Sequence, residues 1–260
     1  MKDVRPIKGS ESYTTHPGKD AGIHLAAGPE ISQRLEAAKP AVYRGGGLLP
    51  QVSWKVHRTG MVLLVDLWSG FGGSILALLA LGMQVIAIAA ENAEVREVCH
   101  RNMPNVVHVA DVDHIRGKDL IAVIKRRKFA VVMIGGGSPC QGNSELNAQR
   151  KGIKDPRTIG AYHVVRIEKE LRQAAKDGGV ELPPVGTFIE NVASAPREVI
   201  EYYSQLIGAP PVHIGAGQFG YCQRNRLFWG QIDGKPIGND TSRWYASEIE
   251  DIQMDWNQEA

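Results

Sequence analysis

From residue 61 onward, short continuous apolar runs alternate with stretches of helical periodicity, and this alternation limits the fold more than any other feature. Runs at 62–65, 85–89, 106–109 and 130–134 are rich in β-branched residues and lack polar alternation. Strands of that kind need cover on both faces. Helical patterns follow residue 73 and recur near 93–102, 118–126 and 159–175, and further strands at 186–189, 212–215 and 227–231 flank a helix near 197–206. Strands separated by helices predict an α/β fold with a mostly parallel sheet and helices on both faces. Sheets of this class bind ligands beyond the carboxyl ends of their strands.

The apolar stretch 74–90 is short for a membrane span and is interrupted by Gly82 and Gln84. It predicts a buried helix followed by a buried strand. No apolar run stands behind the charged N-terminus, so a signal peptide is not expected. Residues 1–59 show only one modest helical pattern, near 31–38, and are expected to form a partly ordered extension. The net charge of +2 tolerates a nucleic-acid partner without demanding one. Three scattered cysteines suit neither a disulfide framework nor a zinc site. Cys99 and Cys222 read as reduced buried thiols, and no metal and no membrane partner are expected.

The strand ends carry the chemistry. The first runs into Asp66-Leu-Trp-Ser-Gly-Phe-Gly-Gly73, a glycine loop opening a helix, which suits either an approaching ligand or a tight turn. The second ends at Glu91, an acid able to accept from ribose hydroxyls or to favour a helix N-terminus. The third reaches Asp111, which can receive an adenine amino group. Together they describe an adenosine-bearing ligand across the sheet edge. The fourth runs into Gly135-Gly-Gly-Ser-Pro-Cys-Gln141, presenting a thiol among backbone amides, a setting that activates a nucleophile. The fifth ends in Glu190-Asn-Val192, where an acid can donate a proton and Asn191 can fix neighbouring loops.

Taken in order, the glycine loop at 66–73, Gly136-Gly-Ser-Pro-Cys-Gln141, Asp155-Pro-Arg157, Glu190-Asn-Val192 and Arg224-Asn-Arg-Leu-Phe-Trp-Gly230 resemble the motifs of cytosine-5 DNA methyltransferases. The last is closest in wording to the de novo type. The resemblance implies a Rossmann-like S-adenosylmethionine-dependent methyltransferase fold with a catalytic domain at 60–232 and a tail at 233–260. It implies that S-adenosyl-L-methionine is held by Asp66, Trp68, Ser69, Gly70, Gly72, Gly73, Glu91, Asn92, Asp111, Val112 and Pro139. Cys140, Glu190, Arg224 and Arg226 would be catalytic, with Ser138, Gln141, Asn143, Ser144 and Asn191 binding the substrate. The implied reaction is methylation of cytosine in DNA, with base flipping, in the cytoplasm or a nucleus. Restriction-modification is one setting for such an enzyme.

In this scheme the thiolate of Cys140 adds to carbon 6 and makes carbon 5 nucleophilic, Glu190 protonates ring nitrogen 3, and Arg226 steadies both. The polar loop 142–154, with Arg150, Lys151 and Lys154, would close over phosphates. The basic run at 125–128 reads as a solvated helix end. Family members continue past the arginine strand into a recognition region and a closing segment, neither of which matches the residues after Ile232. A truncated product, one chain of a split enzyme, or an enzyme relying on a second polypeptide for recognition would each account for this. Transfer RNA is the alternative substrate, and a non-catalytic accessory subunit the alternative role.

Overall fold

The computed structural model of the chain describes residues 23–44, 60–91, 93–215 and 224–237. The parallel strands are β1 (Met61–Leu67), β2 (Gln84–Ala90), β3 (Val107–Val109), β4 (Val131–Gly137) and β5 (Val185–Val192). Then β6 (Val212–Gly215), β7 (Asn225–Ile232) and the two-residue β8 (Lys235–Pro236) complete the sheet. The order is β3-β2-β1-β4-β5-β7-β6, with β7 antiparallel to both neighbours and β8 paired to β7. This is a Rossmann-like, mostly parallel α/β sheet.

Side chains alternate across each strand, so β1 feeds two cores. Leu63, Val65 and Leu67 join one cluster with Val123 of α4 (Ile121–Arg126), Val164 and Leu171 of α6 (Tyr162–Asp177) and Tyr203 of α7 (Arg197–Ile207). Val62 and Leu64 join the other, with Ile75 of α2 (Gly73–Ala80) and Cys99 and Met103 at α3 (Ala93–Asn102). The apolar stretch 74–90 therefore resolves into α2 and β2, and no described helix is long and apolar enough to cross a membrane. The predicted helix at 118–126 begins as a 3-10 turn at Gly117–Leu120 before α4, and the one at 159–175 begins as a separate turn, α5 (Pro156–Ile159).

The N-terminal segment is joined to this frame over residues 23–44. Helix α1 (Pro29–Ala37) buries Ile31 and Leu35 completely in the first core. On either side of α1 the chain meets the sheet edge: before it Ala26 N–H donates to the His108 carbonyl at 2.9 Å, and after it Ala41 N–H donates to the Val85 carbonyl at 2.7 Å. Because β3 pairs only the last three residues of β2, this segment covers backbone that would otherwise form an open edge. The basic run at the end of α4 takes part: Arg126 pairs with Glu36 at 2.7 Å and Arg127 donates to the Glu36 carbonyl at 2.8 Å.

Two outcomes follow from this packing. Leu35→Ala should lower unfolding free energy by roughly 2–5 kcal/mol, as for other buried leucines, in a urea titration; a loose extension would show no change. His108 is buried with its Nε2 unpartnered among the described residues. Burial, then His100, Arg96 and Arg34, push it down to about 3. The unfolded chain thus binds a proton near pH 6.5 that the fold refuses, so stability falls as pH drops from about 6.5 toward 3. His108→Phe should flatten the slope of stability between pH 6.5 and 5.

Candidate active site

The glycines at the end of β4 fix the centre of the site. The sheet ladder does not stop at residue 134: Gly135, Gly136 and Gly137 pair with Phe188, Ile189 and Glu190, and Gly135 also pairs with Asp66. A Cβ on Gly135 would lie 1.9 Å from the Phe188 carbonyl oxygen, and one on Gly136, where φ is 153°, 1.8 Å from that of Leu67. Any side chain here would force the strands apart. A Cβ on Gly137 would meet a Glu190 carboxylate oxygen at 2.8 Å. The loop carrying Cys140 thus leaves the sheet beside Glu190.

Glu190 in turn faces β7. Its carboxylate pairs with the Arg226 guanidinium at 2.6 Å, each side chain about one-fifth exposed. Arg226 also donates to the Asn225 carbonyl at 2.9 Å. Arg224, one residue before β7, is exposed and makes no ion pair among the described residues. Cys140 is half-buried and unbonded to sulfur. Cys99 is fully buried, its thiol pushed up to about 12 by burial and by the charges of Asp66 and Glu91. Cys222 lies outside the described residues.

Beneath the thiol loop sits a buried polar network. Asn191 Nδ2 donates to the Ser138 hydroxyl at 2.8 Å, and Asn143 Nδ2 donates to Asn191 Oδ1 at 3.3 Å. The Thr158 hydroxyl donates to Asn143 Oδ1 at 2.7 Å. Tyr203 Oη lies 3.2 Å from the Ser138 hydroxyl and donates to the Thr158 carbonyl at 3.4 Å. All five residues are buried. Ser138, Asn143 and Asn191, which the resemblance assigns to substrate binding, turn their side chains inward onto one another, and Asn191 thereby links the thiol loop to the loop that follows it.

The rest of the loop is braced by its own backbone. Both Asn143 and Ser144 N–H groups donate to the Cys140 carbonyl, and Gly152 N–H closes the loop on the Gly142 carbonyl at 2.8 Å. Gly142 packs against Asp155, whose carboxylate caps α5 and takes a bidentate bond from Arg157. The Arg157 guanidinium holds Asp155 below the usual carboxylate range. Arg150 is exposed, and its guanidinium donates to the carbonyls of Asn143 and Ser194. Gln141 is exposed and lends its carbonyl to Asn147 at 2.7 Å.

The end of β1 forms the second part of the site. Asp66 is fully buried, and neither carboxylate oxygen has a well-formed hydrogen bond among the described residues; the Ser69 hydroxyl is likewise orphaned. Burial pushes Asp66 up to about 8, with the Ser74 hydroxyl opposing and the Glu91 charge adding to the rise. Trp68 adopts a left-handed φ of 58°. Such strain, of order 1–3 kcal/mol, persists where the surroundings enforce it. Glu91 accepts from the Gly70 N–H at 2.8 Å, tying the glycine loop to the end of β2. Gly72 packs on Met103, and Gly73 opens α2. Asp111 caps its own turn by accepting from Asp113 N–H at 2.9 Å, and the Val112 carbonyl is held by Arg166 at 3.1 Å. Pro139 is half-buried beside this edge, and Asn92 lies outside the described residues.

The acids Asp66, Glu91 and Asp111 and the glycine-loop amides thus share one sheet edge with Cys140. Orphaned buried oxygens on Asp66 and Ser69 fit a ligand bearing cationic and hydrogen-bonding groups. Among the described residues no three His, Cys, Asp or Glu side chains gather as a metal site.

The family model for C-5 cytosine-specific DNA methylase matches residues 62–195. Among solved structures, the chain is similar to a protein assigned as a DNA modification methyltransferase of an E. coli prophage, with 23% identity and a TM-score of 0.47. That match covers 65% of this chain and 46% of the other. It is also similar to the Dnmt2 methyltransferase of S. pombe, at 20% identity and a TM-score of 0.39, over 67% of this chain and 49% of that one. The chain spans about half the length of each of these solved proteins. The family match takes in the glycine loop, the thiol loop and the Glu-Asn-Val strand end in one continuous segment, and by it the chain belongs to the C-5 cytosine-specific DNA methylase family.

Proposed function

We propose that this chain methylates carbon 5 of cytosine in DNA through a covalent adduct on Cys140, with residues 60–232 as the catalytic domain. The observation that carries this reading is the Glu190–Arg226 pair at 2.6 Å, set beside the root of the thiol loop. A carboxylate held by a guanidinium next to a nucleophile matches what a cytosine ring demands. Addition of the Cys140 thiolate to carbon 6 moves an electron pair into the ring, where it must be met by a proton at nitrogen 3. Glu190 supplies that proton and accepts from the exocyclic amine, while Arg226 orients Glu190 and donates to the ring carbonyl oxygen. Carbon 5 becomes an enamine carbon able to take a methyl group. Loss of the carbon 5 proton to water, departure of the thiolate and return of the nitrogen 3 proton to the Glu190 carboxylate then restore the ring.

S-adenosyl-L-methionine, the methyl donor of this chemistry, supplies an electrophilic methyl on a sulfonium centre. The residues of this chain that would hold it are the Gly70 and Gly72 loop, Glu91 and Asp111, with the Asp66 carboxyl beneath the loop kept protonated by burial below about pH 8 and able to ionise when a cationic ligand arrives. A target base inside a duplex must be turned out of the stack to reach Cys140, and the exposed Lys151 and Lys154 side of the loop suits phosphates.

Transfer of labelled methyl from the cofactor to duplex DNA should be detectable with the wild type and abolished in Cys140→Ser; incorporation into RNA alone would overturn the DNA assignment. A second outcome concerns Asp66. Its folded-state value lies above the ordinary 3.8, so the fold keeps a proton that the unfolded chain releases between about 3.8 and 8. Stability of the ligand-free protein therefore falls as pH rises through that window. Asp66→Asn should melt higher than the wild type at pH 8, with the gap closing toward pH 4. It should bind S-adenosyl-L-methionine more weakly in calorimetry, and equal affinity would count against a charge role for Asp66.

A further inference from the structure

We infer that Thr158 and Tyr203, which stand outside the matched sequence motifs as chemical groups, are positioning residues for Cys140, acting through a closed ring of hydrogen bonds. The direction of each link can be followed. Tyr203 Oη donates to the Thr158 carbonyl, so its oxygen is left to accept from the Ser138 hydroxyl. The Ser138 oxygen accepts from Asn191 Nδ2. Asn191 Oδ1 accepts from Asn143 Nδ2, and Asn143 Oδ1 accepts from the Thr158 hydroxyl. The chain of donors returns to the residue where it began. Every link runs in one sense, so both Asn amides and all three hydroxyl rotors are fixed by their neighbours.

The ring joins five separate elements: the thiol loop through Ser138, the following loop through Asn143, α5 through Thr158, β5 through Asn191 and α7 through Tyr203. Two of its members stand two residues before and three residues after Cys140. The Cys140 carbonyl is held from the same side by the Asn143 and Ser144 amides at 2.9 and 2.8 Å. Tyr203 is itself anchored, with its ring edge-on to Trp229 at 5.2 Å and 88°, and Trp229 Nε1 bonded to the Ser204 hydroxyl at 3.0 Å. All five residues are buried, so opening a link leaves polar atoms short of a partner away from solvent, and the members are coupled energetically. An apolar plug of similar volume would fill the space as well. What the ring adds is orientation of the segment that bears the thiol.

This inference rests on the reading of Cys140 as nucleophile, and two readouts separate their fates. The variants are Thr158→Val, which keeps shape and loses the hydroxyl, Thr158→Ser, which keeps the hydroxyl, and Tyr203→Phe. The kcat for methyl transfer should fall roughly 10-fold in Thr158→Val and Tyr203→Phe with both KM values within about 2-fold, and the double variant should fall well short of the 100-fold product. Thr158→Ser should retain most of the wild-type kcat. Alkylation of Cys140 by iodoacetamide, followed by peptide mass spectrometry, reads the loop without turnover. It should quicken at least about 3-fold in Thr158→Val and Tyr203→Phe, as a loosened loop opens a half-buried thiol, and stay unchanged in Thr158→Ser. Unchanged alkylation in Thr158→Val, or equal effects of Val and Ser, would overturn the ring. Responsive alkylation with no methyl transfer by the wild type would sink the methylation reading and leave the ring standing.

Discussion

Strand β4 threads its last residues between the carbonyl oxygens of Leu67 and Phe188, with less than 2 Å of room for any Cβ at Gly135 or Gly136. The fit matters because parallel strands β1, β4 and β5 all end here, and the ligand edge of such a sheet lies at those ends. Were β4 to stop at Ile134, the thiol loop would depart three residues earlier, short of the register with Glu190. Because the ladder continues through Gly137, in register with Glu190, the loop bearing Cys140 emerges beside the carboxylate that Arg226 of β7 pairs with. A backbone constraint thereby decides which side chains meet.

The polar groups of this edge fall into two kinds. Glu190 and Arg226 are partly exposed and paired, a state in which a carboxylate can exchange partners with an arriving ring. Asp66 and the residues of the Ser138–Tyr203 ring are buried. Asp66 is held against its own solvation preference, its carboxyl pushed up to about 8 by burial at the end of β1. The ring is internally satisfied and holds geometry. In the proposed reading, binding and positioning are divided between unsatisfied and satisfied buried groups.

Much of this was legible in the sequence, for physical reasons that differ by element. Continuous apolar runs forced a two-sided sheet, and β1, β2, β5 and β7 lie where those runs stand. The motif residues at strand ends were legible because their types are chemically restricted. The course of β4 was not, since three consecutive glycines read as loop and the sheet keeps them through approach distances that no periodicity reveals. The docking of residues 23–44 was hidden for a related reason: a nine-residue helix with two buried side chains, Ile31 and Leu35, carries little periodic signal. Thr158 and Tyr203 were silent as well. Tyr203 sits at 199, 203, 207 spacing with Val199 and Ile207, which reads as core; only the need of a buried hydroxyl for a partner hinted at more. The inward side chains of Ser138, Asn143 and Asn191 follow from the same ring, which no single motif encodes.

The account turns on Cys140 as the atom that attacks the base. Incubation with S-adenosyl-L-methionine and duplex DNA carrying 5-fluorocytosine, followed by digestion and peptide mass spectrometry, tests this directly, because fluorine at carbon 5 blocks release of the thiol. The account predicts a covalent nucleotide adduct, bearing the transferred methyl, on the peptide containing Cys140. An adduct on Cys99 or Cys222, or methylated product with no protein adduct, would contradict it.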